Sequence, residues 1–131
     1  DPDRYPAIRR LTAEQFEQQV EEAAAGLPEQ FREHLDRVAT TVEPVVPVLL
    51  VAEGISPLDT LGLFTGTPLD QHGQSGSAVD PPPRILLFQR NLERFSALEG
   101  DLARQVTVTL FHELGHYLGM EEDDLDDAGF R

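Results

Sequence analysis

Three polar side chains, His112, Glu113 and His116, stand in the otherwise apolar stretch Val106 to Leu118 (Val-Thr-Val-Thr-Leu-Phe-His-Glu-Leu-Gly-His-Tyr-Leu). The stretch is apolar nearly all round and holds no proline, which predicts a buried helix. At about 100° per residue, His116 falls about 40° from His112, and Glu113 about 100° from it, so the three share one arc. Buried imidazoles and a buried carboxylate are costly without partners, and a cation at that arc supplies one. Two histidines at i and i+4 project from consecutive turns. Their ring nitrogens can converge on one zinc ion at about 2.0–2.1 Å. The glutamate directly after the first histidine points to the side of the ion, where it can hold a water molecule and take its proton. The ion lowers the pKa of that water towards ~7 and polarises the carbonyl under attack. The competing explanation, two core histidines bonded to other side chains, leaves Glu113 on the same arc unexplained.

A catalytic zinc takes three protein ligands and keeps its fourth position for water. The extended pattern here is His112-Glu113-x-x-His116-x-x-Gly119-x-x-Glu122. Gly119 can turn the chain sharply enough to return residue 122 beneath the metal, so Glu122 is the expected third ligand. Asp123 and Asp126 are its rivals, because a short helix beginning at Glu121 would present either one. The plain alternative is that this acidic run is a solvated tail. It lacks the alternating acids and central glycine of a calcium loop. Two histidines and a carboxylate also suit other divalent ions, so zinc is the expected but not the only compatible metal. No transition-state stabiliser is identifiable. Tyr117 reads as a core residue, His72 as a surface residue of a loop, and His34 as an exposed residue on an amphipathic helix.

The elements that must position this arc follow from periodicity. Residues 1–10 read as an irregular arm. Thr12 with Gln15 forms a capping box, and Phe16, Val20, Ala23, Ala24 and Leu27 recur at helical spacing up to Gly26. Pro28 starts a second helix with Phe31, Leu35 and Val38 on one face. Val42, Val45, Val46 and Val48 to Val51 read as extended chain, which Pro44 and Pro47 confine to an edge or a bend. Leu61, Leu63 and Phe64 suit a short strand. Residues 70–83 read as a flexible loop. Ile85 to Phe88 reads as a strand buried on both faces, and Leu92, Phe95 and Leu98 mark a short helix. Asp101 is the expected N-cap of the motif helix and Gly119 its left-handed terminator.

The 131 residues suit one domain, and an apolar fraction of 40% suits a packed core. A formal net charge of −14 argues against nucleic acid and anionic membranes as partners and fits a soluble monomer. The absence of cysteine excludes disulfides, thiolate-bound zinc and thiol nucleophiles. No apolar run approaches the ~20 residues of a membrane span, and no signal peptide is visible. The first residue is Asp1 rather than Met, so upstream residues are expected to have been trimmed; a cytoplasmic location is the default.

The sequence resembles a bacterial family of minimal zincin-like metallopeptidases, formerly a domain of unknown function. The resemblance rests on Phe16 to Val42 with its Leu27-Pro28-Glu29 turn, on Leu61 to Leu69, on Pro83 to Phe95 and on Val106 to Phe130. It implies an α+β fold in which a small mixed β-sheet packs against helices that include the motif helix. By matched positions it implies zinc on His112 and His116, with Glu113 as general base and an acidic residue at or near Glu122. The sequence departs from larger zincins. It has no downstream methionine turn of the metzincin kind, and little room for the later helix from which gluzincins supply a glutamate.

The expected function is therefore zinc-dependent hydrolysis of peptide bonds in a peptide or protein substrate. The alternative is a non-catalytic zinc-binding domain in which the metal is structural or acts with a partner. A third reading, an acidic interaction domain without metal, predicts indifference to chelators.

Overall fold

The computed structural model describes residues 10–71, 81–121 and Asp124. Glu122, Asp123, Asp126, His72 and all but Arg10 of the irregular arm expected at residues 1–10 lie outside the described residues. So does most of the loop expected over 70–83, of which Asp70, Gln71 and residues 81–83 are described.

Helix α1 (Ala13–Ala25) opens with the expected capping box: the Gln15 N–H donates to Thr12 Oγ1 at 3.1 Å, and the Thr12 N–H donates to Gln15 Oε1 at 2.9 Å. Gly26 closes it, in the right-handed region, and Pro28 then caps α2 (Glu29–Leu35). Strand β1 (Ala39–Glu43) leads to a short helix α3 (Val48–Ala52), and strand β2 (Gly62–Thr65) to a 3-10 turn at Leu69–Gln71. Strand β3 (Arg84–Phe88) runs directly into α4 (Gln89–Glu99). After Gly100 the motif helix α5 occupies Leu102–Tyr117. The fold is α+β, as expected.

The sheet has the order β1-β3-β2, with β1 parallel and β2 antiparallel to β3. The central strand β3 is buried on both faces, as its unbroken apolar run predicts. Period-2 alternation divides it between two cores. Ile85 and Leu87 join the main core with Phe16, Leu92, Leu110, Phe111 and Leu114, while Leu86 and Phe88 join Val46 on the opposite face. Helix α5 lies in the middle of the main core, against α1, α2, α4, β2 and β3. Val106, Leu110 and Leu114 are wholly buried along it. Each such side chain contributes about 1.5–3 kcal/mol by leaving water, so the motif helix is among the most firmly fixed parts of the molecule.

Three sequence expectations need correction. The second helix ends at Leu35, so Val38 reaches the core from the turn that follows and not from the helix face. Val48 to Val51 are helical rather than extended. The β1 ladder ends where Glu43 pairs with Phe88, because β3 turns into α4 at the next residue and offers no further partner. Pro44 has no N–H to donate, its carbonyl accepts the Arg90 N–H at 3.1 Å, and Pro47 presets the first turn of α3. His34 is half-buried rather than exposed. It follows Phe31 by three residues and so flanks the face that α2 turns to the core.

Two polar clusters fasten the N-terminal half of α4. Wholly buried Glu93 accepts the Leu11 N–H at 2.7 Å and the Arg90 guanidinium at 2.7 Å, while Gln89 donates to Leu11 O at 2.9 Å. Asn91 donates its amide to Pro57 O at 3.1 Å and Thr60 O at 2.8 Å, and Arg94 donates to Asn91 Oδ1. The second cluster fixes the loop that delivers the chain to β2, and β2 is the strand beside the motif.

Candidate metal centre

Asp101 caps α5 as expected, its carboxylate accepting the Arg104 N–H at 3.3 Å. Beyond the last turn, the Gly119 N–H donates to His116 O at 3.1 Å and the Met120 N–H to Gly115 O at 2.9 Å. With Gly119 at φ +76, these two bonds form a Schellman motif. The expected left-handed turn is therefore present. It carries the chain past Asp70 of the 3-10 turn, because a Cβ placed on Gly119 would lie 2.7 Å from Asp70 Oδ2. The Glu121 N–H is accepted by Asp124 at 3.1 Å, the reach-back half of a capping box.

On one arc of α5, one ligand atom each from His112, Glu113 and His116 lies within 4.8 Å of the others. The two imidazoles are half-buried, with ring centroids 4.8 Å apart and planes at 77°. Two nitrogens on one tetrahedral zinc stand about 3.3 Å apart, so small side-chain rotations complete the approach. The donor set of two imidazoles and a carboxylate, on a wall that is otherwise apolar, fits a zinc ion. Tyr117 is buried, as expected, against Phe64 at a ring-centroid distance of 5.8 Å.

The carboxylate of Glu113 is held from the sheet. The Phe64 N–H of β2 donates to Glu113 Oε1 at 3.0 Å. The phase of the ladder explains why this amide is available. Phe88 N donates to Leu61 O, so Leu61 and Leu63 bond towards β3 while Gly62 and Phe64 turn their backbone groups outward. The approach depends on Gly62. A Cβ there would meet Thr109 Cγ2 at 2.7 Å and Glu113 Cγ at 3.2 Å. Leu61, Gly62, Val108, Thr109, His112 and Glu113 line an open cleft of about 250 Å³.

Gly62, the Phe64 amide and Asn91 are the positioning groups that periodicity did not reveal. A signal existed for one of them, since a lone glycine inside a short apolar run marks a close backbone approach.

The sequence model for zincin-like metallopeptidases matches residues 35–130. The chain belongs to that family. No curated protein matches its sequence. The match takes in the sheet, the Asn91 cluster and the motif helix, whereas α1 lies outside it. In this zincin-like chain no helix among the described residues is long and apolar enough to cross a membrane.

Proposed function

We propose that the protein is a zinc-dependent metallopeptidase in which His112 and His116 hold the metal and Glu113 is the general base. Glu122 is the proposed third ligand, with Asp123 and Asp126 as its rivals. The observation that carries the proposal is the convergence of His112, Glu113 and His116 on one arc, beside a cleft at the β2 edge of the sheet.

A zinc ion bound there supplies a Lewis acid that acidifies water and polarises a scissile carbonyl. The work of the chain is positional. Glu113 is buried and anchored through Oε1 to the Phe64 amide, which fixes the orientation from which its carboxylate would take a proton. The outward backbone groups of Gly62 can receive an extended peptide by strand pairing. Leu61 and Val108 offer an apolar wall to a side chain of that peptide. The open cleft suits an unfolded or terminal segment better than a folded surface.

Metal content and hydrolysis of a broad peptide library, measured on the wild type and on Glu113→Gln, test the proposal. Stoichiometric zinc in both with hydrolysis only in the wild type is the expected result. Zinc in both with hydrolysis in neither transfers the protein to the non-catalytic alternative. No metal after zinc is supplied refutes the site.

A further inference from the structure

The edge of the sheet opposite the motif is also open. Ala39 N donates to Pro83 O, which sets the phase of the parallel ladder: residues 39, 41 and 43 bond to β3, while Thr40 and Val42 turn their N–H and C=O groups outward. Among the described residues nothing bonds those groups. They face a groove of about 560 Å³ between β1 and helices α1 and α2. That size is within the roughly 300–1,000 Å³ of binding clefts. Its floor is apolar, formed by Val20, Ala24, Leu35, Val38 and Leu110. Among the described residues its rim carries Glu17, Glu21 and Asp36 and no cationic side chain. A neighbouring hollow that shares Ala24, Leu35 and Asp36 adds Glu29 and Glu33 against Arg32 alone.

We infer that this groove docks an extended, basic segment of a partner protein, which adds a strand to β1 and places alternate apolar side chains on the groove floor. The argument has three parts. Outward N–H and C=O groups at alternate residues are what an added strand requires. An apolar floor rewards every second side chain of that strand. The carboxylate rim favours a segment that carries lysine or arginine and repels acidic chains. The groove lies across the sheet from Glu113, next to β1 rather than β2, so it neither uses nor blocks the proposed metal centre. The docked segment recruits the partner without being cut.

The test uses the full chain labelled with 15N and the probe acetyl-Lys-Val-Lys-Val-Lys-Val-Lys-amide, with the glutamate analogue of that peptide as control. Saturable binding of the lysine peptide alone is expected, with the largest amide shifts at Thr40 and Val42 and weaker binding as salt rises. Val42→Pro removes one outward N–H without touching the ladder to β3, and should weaken binding about tenfold. Glu17→Lys combined with Glu21→Lys should transfer preference to the glutamate peptide, which gives a second readout should the proline variant fold poorly. Equal binding of both peptides, shifts confined to β2 and the motif helix, or unchanged affinity in both variants would overturn the inference. So would shifts at Thr40 and Val42 that follow protein concentration without peptide, because the edge would then pair with a second copy.

Discussion

Gly62→Ala is the substitution that most directly tests how the sheet holds the Glu113 carboxylate. The added methyl would stand 2.7 Å from Thr109 Cγ2, 3.2 Å from Glu113 Cγ and 3.2 Å from Leu86 O. The first contact is about 1 Å inside a normal carbon–carbon separation. Thr109 cannot swing away freely, because it is β-branched, on a helix and only 7% exposed. Glu113 can move, but only by releasing the Phe64 amide. The strand must therefore lift from α5, at a cost of about 1–3 kcal/mol for overpacking. In a domain of this size that corresponds to a fall in Tm of roughly 4–15 °C. Thermal unfolding by circular dichroism gives the stability, and peptide hydrolysis of the folded fraction gives the positional effect. Hydrolysis is expected to fall more than stability alone explains. Thr109→Ala removes the first obstacle, so the double variant Gly62→Ala/Thr109→Ala should recover much of the loss in a double-mutant cycle. A Tm within about 1 °C of wild type for Gly62→Ala, or additive losses in the double variant, would refute the reasoning.

Further expectations follow from the same contacts. Glu113→Gln keeps an oxygen for the Phe64 amide and should melt close to wild type while losing hydrolysis; Glu113→Ala loses hydrolysis and also about 1–3 kcal/mol, because it strands a partly buried N–H. Gly119→Ala places a side chain at φ +76 against Asp70 and should cost about 1–2 kcal/mol or more in denaturant unfolding, with part of the loss recovered by Asp70→Ala. Asn91→Ala frees Pro57 O and Thr60 O and should cost about 1–3 kcal/mol, and limited proteolysis should cut more readily within residues 53–61. Chelation should lower the Tm of the zinc-loaded protein, and His112→Ala or His116→Ala should abolish that difference; a chelator without effect would count against a metal at this arc.

The sequence by itself determined the features that are local in the chain. The i, i+4 histidines and adjoining Glu113 fix one arc of α5 because helix geometry does not depend on what surrounds it. Thr12 with Gln15, Asp101 and Gly119 fixed helix ends for the same reason, since each acts on backbone groups no more than a few residues away. The run Ile85 to Phe88 announced a strand buried on both faces, because only such a strand can do without polar alternation. Tertiary structure decided what depended on partners distant in the chain. Val48 to Val51 had the composition of a strand but found no ladder to join once β3 became α4. Glu113 found its anchor in the Phe64 amide, 49 residues away in sequence. Gly62 gained its purpose only when Thr109 was laid against it. The open edges at Gly62 on one side and at Thr40 and Val42 on the other follow from which residues bond to β3, a phase set by pairing register and not by residue type. The shared arc of His112, Glu113 and His116 was thus legible in residue spacing, whereas the open edges on either side of β3 were made by the assembly of the sheet.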